Sequence, residues 1–360
     1  MATIEQLTYN HSRIGANFFF LDRLLTRMPN PAALEKPPSG KRELGWLSRL
    51  PMELLMIILE DLSIAHLMQF RRCNRSTADL IDSEPLLGST LRFAPNVLKG
   101  LVALRITIPV TAGQVRRKCA QRSCDGCGGL AQSLYLPTFQ RACFPCLRLP
   151  GGMAFGPPVS PWEMVHQFEI QPQDFDSIPS FRFLPVSFTN GTNVFRINTP
   201  HTLYDCESVC RKRSETNDDY KAHLNDEQWA EREAFLDREI DLDRIDRSRP
   251  PITEVSAPAP EWIRLHMAVV FAPWIDSGRM EAEQGFYCAS CLYTLHQYIS
   301  YTRETFWEHY EHCRVSRYSR SRVRYLQGEY DSTPLEVLGQ NCTARSRYNY
   351  GLKYVQDEPK

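Results

Sequence analysis

Between residues 50 and 104 the apolar positions recur every three or four residues, the period of short helices that each bury one face. Leu54, Ile58 and Leu62 are four apart and form one such face. Pro51 suits a helix start, where its missing N–H costs nothing, and Glu53 favours the positive helix end. Ser63 can cap a second helix carrying Leu67 and Phe70, and Asn74 a third carrying Leu80 and Ile81. Each is shorter than the ~12–15 residues at which isolated helices become marginal, so they must pack on each other or on a partner.

Away from this region the pattern changes. A short amphipathic helix is expected around 14–25, followed by a Pro-, Ser- and Gly-containing linker over 29–40. Residues 147–225 are rich in Pro, Gly, Asn and aromatics, with strand-like runs at 181–188 and 193–197. Asn225 and Gln228 are spaced as a capping box and open a charged helix to about Arg247, with an apolar stripe of Trp229, Leu236 and Ile240. Pro250, Pro251, Pro258 and Pro260 mark a loop, residues 267–271 a strand, and a last helix runs to about Arg317. No periodicity remains beyond Gln327, and no internal repeat is visible. The expected class is α+β: a flexible segment over 1–46, helices over 47–90, a mixed body over 91–325 and a disordered tail over 326–360.

Composition narrows the function. With Lys+Arg and Asp+Glu both 42 the formal net charge is zero, which argues against wholesale nucleic-acid or membrane-surface binding. The apolar run ending at Leu21 is cut by Asp22 and is too short for a signal peptide core. The uncharged run at 267–275 is about half of the ~20 residues a membrane span needs. The expected location is intracellular, cytoplasmic or nuclear, where the 12 cysteines stay reduced and paired spacings point to metal.

Cys124, Cys127, Cys143 and Cys146 follow the pattern C-x2-C-x15-C-x2-C. Two such knuckles joined by a hairpin through Leu134, Tyr135 and Leu136 give four thiolates in tetrahedral array, the shell preferred by structural zinc. Gly128 supplies the tight turn, and Arg116, Arg117, Lys118 and Arg122 are expected to favour the thiolates. A second set is Cys288 and Cys291, then His309 after 17 residues and Cys313 one helical turn later. His312 and His296 compete for the same role. Two structural zinc ions are expected. Cys206 and Cys210, near His201, lack a fourth ligand and read as structural cysteines.

The string from Leu50 to Pro85 resembles the F-box of a large fungal F-box protein group, matching at Leu50, Pro51, Glu53, Leu54, Leu55, Ile58, Leu62, Leu67, Arg71, Asn74, Arg75, Leu80 and Ser83. It departs at Cys73, where Val is usual, and at Thr77, where an aromatic is common. The later segments are also similar to that group: Cys124 to Gly128, Leu136-Pro137-Thr138, Cys143 to Cys146, Pro273-Trp274, Cys288 to Cys291, and His309 to Cys313. The resemblance implies a non-catalytic substrate receptor of an SCF-type ubiquitin ligase. In it Leu50, Pro51, Leu54, Ile58, Leu62 and Leu67 would face a Skp-type adaptor while the body recruits an unidentified target protein. The aromatic, Pro-rich segment 147–260 between the two cysteine sets is the largest loop region on such a scaffold and is expected to grip the target: removing 47–90 should spare target binding, and substitutions at Cys143 and Cys146 should abolish it while adaptor binding survives.

Two other functional classes compete with this one. An enzyme is disfavoured, because the cysteines come in metal-spaced pairs and no phosphate loop, nucleophile elbow or H-E-x-x-H string occurs. A zinc-containing nucleic-acid-binding or scaffold protein is the alternative. It rests on Arg314, Arg317, Arg320, Arg322 and Arg324 interleaved with Tyr318 and Tyr325.

Overall fold

The computed structural model describes residues 3–9, 20–30, 34–35, 44–148, 155–190, 193–197, 200–216, 252–254, 261–276, 278–291 and 299–313. The charged helix expected at 225–247, the basic stretch after Cys313 and the tail fall outside them, as does the proline loop at 250–260 except for residues 252–254, which form a strand. The architecture is α+β, with short helices and small sheets divided between two compact units. One unit comprises residues 1–102, 109–153 and 269–360; the other comprises 103–108 and 154–268.

In the first unit the three expected helices are Met52–Asp61, Ile64–Arg71 and Arg75–Ile81. Pro51 stands one residue before the first. The Ser63 hydroxyl accepts from the His66 N–H at 3.3 Å, and the Asn74 carboxamide from the Thr77 N–H at 2.9 Å. Thr77 returns the bond to the Asn74 N–H, so the residue that departs from the family pattern closes a capping box. The buried Arg71 guanidinium grips Asp82 with two bonds, at 2.7 and 2.8 Å, and ties this turn to the Glu35 carbonyl.

Helix Ala112–Ala120 lies against Met52–Asp61. The join is made by Ala112 N–H to the Leu62 carbonyl, Ile64 N–H to the Val110 carbonyl, and an Arg116–Glu60 ion pair at 2.8 Å. The chain then forms the hairpin Ser133–Tyr135 and Gln140–Ala142, to which Val269–Phe271 adds antiparallel as a third strand. Its buried Leu134 and Tyr135 fill the core. A Cβ added at Gly100, in helix Pro95–Ala103, would meet the Leu136 side chain at 2.7 Å, so a larger residue here would force that side chain to shift.

The N-terminal segment, expected to be flexible, enters this unit. Strand Thr8–Tyr9 pairs with Phe286–Cys288, and the buried Ile4 and Leu7 pack with Cys288, Cys291 and Phe306. Helix Phe20–Arg27 buries Leu21 and Leu25. Sequence periodicity could not reveal this, because the partners lie from about 70 to more than 200 residues away.

Within that helix Asp22 accepts from the Phe271 N–H at 2.6 Å and from the Asn96 amide at 3.1 Å. Burial pushes its carboxyl from 3.8 up to about 7 despite these bonds. The folded state therefore holds a proton that the unfolded chain has released between these values, and stability falls as pH rises through about 7. At ~1.4 kcal/mol per unit, this group withdraws roughly 4 kcal/mol by pH 8. Asp22→Asn should flatten that slope in denaturant melts taken between pH 5 and 8. An unchanged slope would contradict the assignment.

The second unit holds strands Ser180–Arg182 and Thr202–Tyr204 as one pair, and Val186–Asn190, Asn193–Ile197 and Ile252–Glu254 as a three-stranded sheet. Its core gathers Val159, Met164, Ile170, Ile178, Tyr204, Cys206 and Val209, with Cys210 packed against it, so the last two cysteines are structural here. Buried Arg264 forks onto Glu163, which also closes the capping box of helix Pro161–His166. The 91–325 body expected as one domain is thus split, and its two cysteine clusters share a unit with the 47–90 helices.

Candidate partner-binding face and metal centres

Helix Met52–Asp61 is apolar on both sides. Leu55 and Leu59 point inward at 2% exposure each, while Leu54 and Ile58 remain 50% and 47% exposed. Ile57 at 65%, Met52 at 54%, Leu50 and, one turn earlier, Trp46 add to this outer face, and Pro51 is exposed beside them. A short helix that is hydrophobic all round is stable in water only when something covers its second side. The sequence picks out Leu50, Pro51, Leu54 and Ile58 on this face but misses Met52 and Ile57.

Leu62 is half-buried at the helix end. Leu67, grouped with the anchors by resemblance, is completely buried among the unit's own residues. A side chain with no area left to cover gives nothing to a partner; Leu67 holds its helix in place instead.

The first metal-like cluster is built by the hairpin. The knuckle at Cys124 turns through Gly128, whose φ of 75° favours glycine and whose N–H bonds the Cys124 carbonyl. Cys143 follows the strand Gln140–Ala142 directly, and Cys146 lies in the short helix Phe144–Arg148. The four Sγ atoms of Cys124, Cys127, Cys143 and Cys146 lie within 4.8 Å of one another. N–H groups of Gly126 and Cys143 donate to the Cys124 sulfur at 3.4 and 3.3 Å. The Cys143 thiol and these N–H groups pull the Cys124 thiol down to about 4, while sharing that charge pushes Cys143 up. Four converging thiols, with Cys124 held toward its thiolate, fit a soft divalent cation.

The second cluster joins Cys288, which ends strand Phe286–Cys288, with Cys291, His309 and Cys313, again within 4.8 Å. The Cys291 sulfur lies 3.3 Å from His309 Nε2 and 3.5 Å from the Cys313 sulfur. His309 stacks on Tyr301 at 4.3 Å, which fixes the ring. Cys313 sits at the C-cap of helix Arg303–His312, so the helix ends where the ligand must turn inward. His312 is exposed and bonded to the Glu308 carbonyl, outside the group of four that includes His309. His296 lies outside the described residues.

Three of the four cations expected to favour the thiolates are engaged elsewhere. Arg116 pairs with Glu60, Lys118 with Asp125 at 2.6 Å, and Arg122 with Glu283 while lying over Trp274. Asp125 instead links the knuckle to both neighbours. It binds Lys118 and Gln121 at the end of helix Ala112–Ala120, and accepts from the Arg141 N–H at 2.6 Å on the hairpin. No helix among the described residues is long and apolar enough to cross a membrane.

Comparison with curated proteins finds no match, and comparison with solved structures finds none either. Residues 47–87 match the F-box domain family, over the three short helices and the exposed apolar face. On that match the protein is an F-box domain-containing protein.

Proposed function

We propose that the chain is a substrate-receptor subunit of an SCF-type, cullin-RING ubiquitin ligase. Its F-box docks a Skp-type adaptor through Leu50, Pro51, Leu54 and Ile58, with Met52 and Ile57 completing the face. The observation that carries this reading is the doubly apolar helix Met52–Asp61, whose outer side chains have no cover among the described residues. F-box domains typically bind such adaptors, and a helical groove would supply that cover. The chain contributes no catalytic group of its own in this role. It raises the local concentration of a target beside the charged ubiquitin carrier, so that rate comes from proximity.

Both cysteine clusters are assigned structural zinc. Thiolates and one imidazole at tetrahedral spacing are its usual shell, and neither set leaves an open position for a reacting water. The ions supply folding energy to small elements with little core of their own. The target would be gripped by the unit of residues 103–108 and 154–268, which is outside the F-box unit and carries the exposed Trp162 and Val165.

The test is co-expression of the full chain with a Skp-type adaptor, followed by affinity capture at two salt concentrations. Stoichiometric adaptor is expected at both, because the face is apolar. Capture of nucleic acid without adaptor would favour the alternative reading instead.

A further inference from the structure

The two cysteine clusters differ in how well their ligands are covered. In the second, Cys288, Cys291 and Cys313 are all buried. Cys288 ends a strand that runs between Thr8–Tyr9 and Ser300–Tyr301. Ile4, Leu7 and Phe306 pack with these cysteines, and Tyr301 stacks on His309. The N-terminal segment and a layer of aromatic rings thus stand between this cluster and water.

In the first cluster Cys124, Cys143 and Cys146 are buried, but Cys127 is exposed. It sits in an exposed run from Asp125 to Gly129, in which Gly126, Gly128 and Gly129 bring no side chain to cover it. A Cβ built at Gly128 would meet nothing within 4 Å among the described residues, and one built at Gly129 would meet the Cys127 sulfur at 3.4 Å. The sulfur is therefore open on the side where Gly129 lacks a side chain. On another side it has a neighbour, the Cys143 sulfur, 3.4 Å away at the end of the hairpin. An accessible thiolate beside a second thiol that can resolve it is the arrangement that oxidises reversibly.

We propose that Cys127 is a redox-modification site: a peroxide oxidises its sulfur, the Cys143 sulfur closes a disulfide onto it, and the four-cysteine centre opens while the Cys288–Cys313 centre stays shut. The release of metal rests on the zinc reading above; the oxidation of Cys127 rests on exposure and proximity alone. In the first step the Cys127 thiolate attacks one peroxide oxygen and the O–O bond breaks. This leaves a sulfenic acid and a hydroxide, which takes a proton from water. In the second step the Cys143 thiolate attacks the sulfenic sulfur, the S–S bond forms, and the oxygen departs as a second water after protonation. The two sulfurs lose the two electrons that the peroxide gains. Two thiolates then remain of the four, too few for the closed shell of structural zinc.

The test uses the full chain, reduced and zinc-loaded, with dilute hydrogen peroxide as the probe. Released zinc is followed with a chromogenic chelator, and peptide mapping by mass spectrometry locates the oxidised cysteines. Wild type should release one of its two ions, with a Cys127–Cys143 disulfide, and a thiol reductant with added zinc should restore the original content. Gly129→Val should slow that release several-fold at unchanged zinc content, because its side chain would cover the Cys127 sulfur and no ligand is altered. Gly129→Ala carries the same expectation if the valine variant does not fold. Release of both ions at one rate, or first oxidation at Cys288, Cys291 or Cys313, overturns the proposal. A first disulfide that leaves out Cys127, or a covered variant that reacts like wild type, does so too. A chain that holds no zinc at Cys124–Cys146 sinks the metal reading alone, since the mapped position of the disulfide still decides the role of Cys127.

Discussion

Replacing Cys143 and Cys146 by serine is expected to abolish adaptor capture and lower the melting temperature of the F-box unit by tens of degrees. The reason is a continuous set of contacts from the cluster to the adaptor face. The Cys124 knuckle is fixed by Asp125 to Lys118 and Gln121, at the end of helix Ala112–Ala120. That helix carries Arg116, which pairs with Glu60, and its first residue bonds the Leu62 carbonyl at the base of the adaptor-facing helix. Structural zinc contributes ~10–16 kcal/mol of apparent binding energy in small modules, comparable to the whole stability of a domain. Losing even a third of that would unfold a marginal unit. This replaces the modular expectation that substitutions in the hairpin would spare the adaptor, since the helices and both clusters belong to one unit. Thermal melts and adaptor capture of Cys143→Ser/Cys146→Ser check it, with Cys210→Ser in the other unit as a control expected to behave as wild type. Capture and melting that both survive would show that the hairpin does not support the face.

Leu54→Asp with Ile58→Asp should instead remove adaptor binding while leaving the fold intact. Both side chains are about half exposed in the free chain, so charges there meet water before binding and a desolvated groove after it. Anchors in such grooves typically cost ~2 kcal/mol or more each, so the pair should weaken the complex by about a thousandfold. The melting temperature should shift by no more than a surface substitution does. Leu67→Asp is the contrasting case: with that side chain wholly buried, it should unfold the unit. Calorimetric titration of adaptor into each variant, beside its melt, separates the two effects. A Leu54→Asp/Ile58→Asp variant that binds like wild type would remove this face from the interface.

Features set by neighbours in sequence were the legible ones. Ser63 and Asn74 cap helices because a cap acts on an N–H three residues away. The cysteine sets assemble as spaced because a C-x2-C knuckle is a local turn, and its hairpin needs only the chain between the pairs. Choices that depend on what packs from afar were not legible. Leu54 and Leu55 look alike in sequence, yet one faces out and the other in, decided by where helix Ala112–Ala120 settles. Asp22 reads as a break in an apolar run, and its burial against Phe271 closes a loop of 249 residues. Arg141 looks like an ordinary strand residue, yet it is wholly buried with Nη1 on the Ala272 carbonyl, far along the chain. The division into two units, which moves the clusters to the F-box side, likewise follows from contacts between distant segments.

The most direct test is native mass spectrometry of the full chain co-purified with a Skp-type adaptor. The account predicts one species whose mass equals one chain, one adaptor and two zinc ions, and its disappearance in the Leu54→Asp/Ile58→Asp variant. A wild-type chain that flies alone, with no adaptor bound, would contradict it.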